Sequence, residues 1–164
     1  MNAMKDRSRR VGFRVLCIGL IVGAFSLSAL AELGGGVESV KADQARLGAT
    51  RQVQQAEGYT VHEMKTGSGI VVREYAAPAG TVFGVSWNGP VIPDLRQLLG
   101  EQHFAEYQQA RQAQTQPGGR IHRGPIFVEL PGLVVQMSGH QRSFHGVAIL
   151  PQSLPQGVSA EAIR

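Results

Sequence analysis

Cysteine is almost absent from this sequence: there is one in 164 residues, Cys17, and it sits inside an uncharged run over residues 15–30. From residue 32 onward there is no thiol, which excludes a disulfide framework and any cysteine-based metal site from that part of the chain. A charge excess is missing there too. Of the 16 basic residues five (Lys5, Arg7, Arg9, Arg10 and Arg14) precede residue 32, as does Asp6 of the 12 acidic ones, so the net +4 belongs to the N-terminal segment and the remainder is balanced. A balanced body offers no basic footprint for nucleic acid or anionic lipid. No repeat of fixed period is visible.

The N-terminal segment has the order of parts that export requires. Its basic residues are followed by the uncharged run, which ends in Ala29-Leu30-Ala31, with a small side chain at both positions read by a signal peptidase. The expectation is a signal peptide over residues 1–31, cleaved between Ala31 and Glu32. The competing reading is an uncleaved anchor or a buried helix, because the run is just shorter than a usual span and carries Ser26 and Ser28. Ser8-Arg9-Arg10 approaches a twin-arginine signal, but Gly12 stands where that pattern wants a bulky apolar residue, which favours the general secretory route. The protein is then periplasmic or secreted, and it meets a membrane only transiently through this leader.

Residues 32–58 open with Gly34-Gly35-Gly36 and carry only a thin apolar pattern (Val37, Val40, Ala45, Leu47), so they read as a small, polar tail with at most one docked helix. Strand signals then begin. Residues 59–65, 70–76 and 81–87 are rich in Val, Thr, Tyr and Phe and are separated by short glycine-containing joints, as in an antiparallel meander. Phe83, Val85 and Trp87 alternate, and the expectation places all three on one buried face.

Asn88-Gly89-Pro90 stops the third strand, and Pro93-Asp94 opens a helix carrying Leu95, Leu98, Leu99, Phe104 and Tyr107 at helical spacing, with Gly100 as a break. A second set of three strands follows at 126–130, 133–138 and 143–150, and Ser159 is placed to cap a terminal turn. The fold class is therefore α+β: three strands, a central helix or broken helical pair lying across one sheet face, then three strands. The α+β domain is assigned to 59–158 and a C-terminal tail to 159–164. Whether the two strand sets share a sheet is open at this level.

Several segments together resemble a known family. Tyr59-Thr60-Val61-His62-Glu63, Val72-Arg73-Glu74-Tyr75, the run 80–90 ending in Trp87-Asn88-Gly89-Pro90, Pro93-Asp94-Leu95 and Leu98-Leu99-Gly100 look like the domain of unknown function 2844. Gly132-Leu133-Val134-Val135-Gln136 and Leu150-Pro151-Gln152-Ser153-Leu154-Pro155 match its usual close, and Glu32-Leu33-Gly34-Gly35 its usual beginning. The resemblance implies a short exported protein of a Gram-negative bacterium. It implies no activity and carries over no catalytic residue.

The candidate chemistry is sparse. His62, His103, His122, His140 and His145 include no pair at the helical or strand spacing of a metal site, although His140 and His145 flank one turn. Ser68 and Ser86 both miss the Gly-x-Ser-x-Gly context of a nucleophile elbow. Glu63 and Glu74 could face each other on adjacent strands, but Lys65 and Arg73 favour a cross-strand charge lattice on a solvated face. Gly34-Gly35-Gly36 lacks the lysine and preceding strand of a phosphate loop. No catalytic, cofactor-binding or metal-binding residue is assigned, and no cofactor.

The remaining constellation is Trp87 with Pro90 and Pro93, a candidate surface for an envelope protein partner; the competing reading buries Trp87 in the core. The leading expectation is a non-enzymatic interaction or accessory module. A hydrolase assembled from His and Ser or carboxylates, and a small-ligand carrier with a cavity walled by Phe83, Trp87, Leu98 and Phe104, are the alternatives. The leader makes one measurable demand: the mature protein starts at Glu32, so intact-mass analysis of the native product should match a chain lacking residues 1–31, and retention of residues before Glu32 overturns the reading.

Overall fold

A computed structural model describes residues 32–114 and 124–163. It contains α1 (Val37–Leu47), β1 (Thr50–Ala56), β2 (Tyr59–Lys65), β3 (Val71–Ala76), β4 (Val82–Gly89), α2 (Leu95–Gln114), β5 (Ile126–Leu130), β6 (Leu133–His140) and β7 (Ser143–Ile149). Two single 3-10 turns, Pro151–Ser153 and Ala160–Ala162, close the chain. The class is α+β, with one antiparallel sheet of seven strands in the order β1-β2-β3-β4-β7-β6-β5. The two strand sets thus meet where β4 pairs with β7, from Gly84 opposite Ile149 to Gly89 opposite Phe144.

The segment 32–58, expected as a tail with at most one docked helix, does carry that helix as α1, but it also holds a strand, β1, and is tied into the sheet, which corrects its reading as a tail. Leu33 and Val40 are fully buried, and main-chain hydrogen bonds from Gly34 to Val82 and from Val82 to Gly35 tie the glycines along the start of β4. α1 ends at Gly48, whose left-handed backbone (φ 55°) turns the chain straight into β1. β1 adds a fourth strand to the first set. Its residues are nearly all exposed, so it has no apolar alternation by which a sequence pattern could reveal it. The C-terminal segment is docked as well: Ser159 caps the last turn through the Glu161 amide, and Ile163 is buried.

α2 begins directly after Asp94, whose carboxylate caps it by accepting from the Arg96 and Gln97 amides, so Pro93 precedes the helix rather than opening it. It breaks at Gly100 (φ 78°, ψ 163°), where the Glu32 side chain crosses so closely that a Cβ would overlap it. Both helices cover one face of the sheet. There Met64, Val72, Val85, Trp87, Val128, Val135 and Ala148 join Val40, Leu98, Leu99 and Tyr107 in the main core.

Phe83 does not join them. Between Tyr75 and Ala76 the register shifts: Ala76 pairs with Val82 but Tyr75 pairs with Gly84, leaving Phe83 as an extra residue on β4. The bulge sends its ring to the opposite face, where it contacts Tyr59 and Tyr75 beneath Ile163. The expected alternation of Phe83, Val85 and Trp87 therefore holds only for Val85 and Trp87.

Trp87 lies directly opposite Gly146 of β7, and its indole ring occupies the space a side chain there would need. Gly146→Ala would force a Cβ into Cζ2 and Cε2 of a ring that is only 2% exposed. Overpacking of this kind costs about 1–3 kcal/mol. Urea denaturation should show a loss of that order for Gly146→Ala and a much smaller change for Gly132→Ala, where a Cβ meets open space.

Candidate functional site

Two constellations carry polar chemistry, one on each face of the sheet. The first is sealed beneath the helices. In strand register His62 sits opposite Glu74 and Val53, and Arg51 opposite Met64, so β1, β2 and β3 present these side chains to the face that α1 covers. Asp43 of α1 descends onto them. It is fully buried, shares a hydrogen bond with Glu74, and accepts a second at 2.7 Å from the Gln97 amide of α2.

Burial dominates the electrostatics of this cluster. Desolvation, then the hydrogen bond and repulsion from Asp43, push Glu74 up to about 9, with Arg51 opposing in part. Burial likewise raises Asp43, against the lowering effect of its hydrogen bonds and of Arg46. His62 is lowered by its own desolvation and by the Arg51 charge. Near neutral pH the pair holds a proton between its carboxyls, and His62 is neutral. Neither His62 nitrogen has a hydrogen-bond partner among the described residues. Asp43, His62 and Glu74 are all buried, and among the described residues no group of three or more His, Cys, Asp or Glu side chains is arranged to hold a metal ion.

The second constellation is open. The face of the sheet away from α1 and α2 carries a groove of about 700 Å³ across β3, β4, β7, β6 and β5. Its polar floor is Arg73, Asn88, Gln136, Ser138 and His145; Phe127, half exposed, and Val147 add apolar surface, and Ile163 forms one wall. Direct cross-strand pairing builds it, with Asn88 opposite His145, His145 opposite Ser138, and Gln136 opposite Phe127. Ser138 Oγ and His145 Nε2 are 2.6 Å apart. Arg73 is held by Glu63 at 2.7 Å, the cross-strand ion pair that the sequence suggested.

A serine beside a histidine is half of an acyl-transfer site. The other half is an acid that orients the imidazole and donors that stabilise an oxyanion. Among the described residues lining the groove there is no carboxylate to orient the imidazole. The arrangement is suited to binding: hydrogen-bonding side chains in a row beside an apolar strip.

The candidates named from sequence are dispersed. His103 contacts Glu106 on the surface of α2, lowering the Glu106 carboxyl; His140 is exposed at the β6–β7 turn; His122 lies outside the described residues. Only His145 is in the groove. Ser68 bonds Thr66 within a turn, and Ser86 is buried against the Tyr75 hydroxyl. Glu63 and Glu74 point to opposite faces, so the solvated lattice is right for Glu63 and wrong for Glu74. Counting by twos from the buried Val72 would have placed Glu74 inside.

Of the proposed partner surface, Trp87 and Pro93 are buried and Pro90 is half-buried, so Trp87 is withdrawn from any surface role. The exposed apolar atoms of that loop belong to Val91 and Ile92. Trp87, Leu98 and Phe104 pack into the main core, and Phe83 lies across the sheet, so those four side chains do not wall a common carrier cavity. Ala29 and Ala31 lie outside the described residues.

A small α+β domain with a buried acid pair on one face of its sheet and an open polar groove on the other defines a fold without assigning an activity. The chain belongs to the family described as Protein of unknown function (DUF2844), whose model matches residues 29–163. No curated protein and no solved structure matches it. Among the described residues no helix is long and apolar enough to cross a membrane.

The acid pair makes stability depend on pH in a definite sense. Between the ordinary 4.5 of Glu74 and its folded value of about 9, the folded chain binds more protons than the unfolded one. Stability from this group is therefore complete below 4.5 and lost as pH rises towards 9. His62 acts with opposite sign, lowering stability as pH falls below its ordinary 6.5. Denaturation midpoints measured from pH 6.5 to 9 should fall for the wild type and stay nearly flat for Glu74→Gln; equal slopes would contradict a shared proton.

Proposed function

We propose that this protein is exported across the inner membrane of a Gram-negative bacterium and acts there as a non-enzymatic accessory module, binding a partner in the envelope through the face of its sheet away from α1 and α2. The observation that carries the reading is the groove beside Ile163. It sets five hydrogen-bonding side chains next to Phe127 and Val147 but has no carboxylate lining among the described residues. The leader over residues 1–31 and the balanced charge of the rest support export and a partner that is not a polyanion.

Such a surface works by shape and hydrogen-bond complementarity, with the exposed Phe127 ring as the anchor. The open site fits a protein segment better than a small molecule, because drug-sized ligands are normally enclosed over most of their surface. Affinity capture from envelope extracts with the tagged protein should recover a partner that is lost, by at least tenfold, with Phe127→Asp or Val147→Arg. Capture should survive Arg96→Ala on the helical side. A partner retained equally by all variants, or a mature protein found in the cytoplasm, would refute the proposal.

A further inference from the structure

The two edges of the sheet are finished differently. At one, the Gln114 side chain of α2 donates to the Phe127 carbonyl of β5 at 2.9 Å, satisfying an outward-facing acceptor of that strand. At the other, β1 pairs with β2 over seven residues without a bulge, and six of those seven residues are exposed on a strand with no second neighbour in the sheet. Edge strands are normally protected by lysine, proline, a bulge or inward charge. β1 reads Thr-Arg-Gln-Val-Gln-Gln-Ala, has neither lysine nor proline and keeps an unbroken register; its single charge, Arg51, is turned inward towards Glu74 and His62, which leaves Gln52 to Ala56 uncharged.

The orientation of its free groups follows from the hairpin. Ala56 and Tyr59 flank a two-residue turn, Glu57-Gly58, and so form a hydrogen-bonded pair. By alternation, Gln54, Gln52 and Thr50 also bond towards β2, and the N–H and C=O groups of Arg51, Val53 and Gln55 face outward. We propose that β1 pairs antiparallel with β1 of a second copy of this chain, about a two-fold axis through Val53, to make one continuous sheet of fourteen strands.

The sequence of β1 is complementary to itself in that register. Val53 meets Val53, Gln52 meets Gln54, Arg51 meets Gln55 and Thr50 meets Ala56, so every residue is paired and no like charges are opposed. Val53, 49% exposed in the single chain, gains an apolar neighbour. One step beyond the strand, the turn residue Glu57 of the second copy comes opposite Ala49. There the surface hollow between α1 and β1 is lined by Arg51 and by Lys41, which also pairs with Glu38 at 2.9 Å, so the acidic turn meets a seat with basic groups in it. An interface with a two-fold axis repeats this contact at both ends.

The full chain expressed with its own leader and purified should sediment as a dimer at micromolar concentration. Val53→Lys, which opposes two charges at the axis on an already exposed site, should give a folded monomer by circular dichroism and at least a tenfold weaker self-association. Val53→Cys should form a disulfide-linked dimer on mild oxidation, since directly opposed strand residues lie within disulfide reach, whereas Thr50→Cys should not. A wild type that stays monomeric to hundreds of micromolar, or a dimer neither split by Val53→Lys nor cross-linked through Val53→Cys, overturns the proposal.

Discussion

The pairing of β4 with β7 is the constraint from which the rest of this molecule follows. It joins a meander begun at the N-terminus to a pair of hairpins at the other end of the chain, and it does so with Trp87 laid over Gly146. Only glycine leaves room for the indole. The ring can then bridge the two strand sets on the helical side and give α2 a continuous apolar floor. Because the sheet is antiparallel throughout, fixing Trp87 to that side also fixes Asn88 and His145 to the other. One large side chain and one missing one thereby determine which residues are core and which are groove.

The bulge at Phe83 extends the same logic. Without it, strict alternation would place Phe83 beside Val85 under the helices. With it, the face away from α1 and α2 acquires an aromatic cluster of Tyr59, Tyr75 and Phe83. That cluster gives Leu154, Val158 and Ile163 something to dock on, so the C-terminal segment covers one end of an otherwise open face. Its last described residue becomes a wall of the groove. A single unpaired backbone position thus divides this face into a dry half and a wet half.

Legibility from sequence follows how strongly each element is buried on one side. β2 and β5 fall where the alternating patterns end, and the break at Gly100 and the cap at Asp94 are written in residue types with one dominant conformational use. β1 was illegible because an edge strand wet on both faces has no period. The bulge was illegible because one inserted residue leaves composition untouched and changes only parity. The groove escaped for a related reason: Arg73, Asn88, Gln136, Ser138 and His145 lie on four strands and converge only through register. Within any one strand each looks like an ordinary solvent-facing residue.

The acid pair shows why a costly arrangement can be structurally specific. α1 brings few large apolar side chains to the core, with Val40 fully buried and Leu47 only partly so, and hydrophobic contact of that extent leaves a helix free to slide or rotate. A buried carboxyl has no such tolerance, because an unpaired one carries the full penalty of desolvation. Asp43 meets Glu74 of β3 and Gln97 of α2 in one position of α1, with Arg51 of β1 and His62 of β2 beside them. Five elements are therefore indexed to one another by a cluster whose shared proton keeps two negative charges from being buried together. The arrangement holds β1 at its place on the sheet, and with it the open edge and the hollow behind that edge.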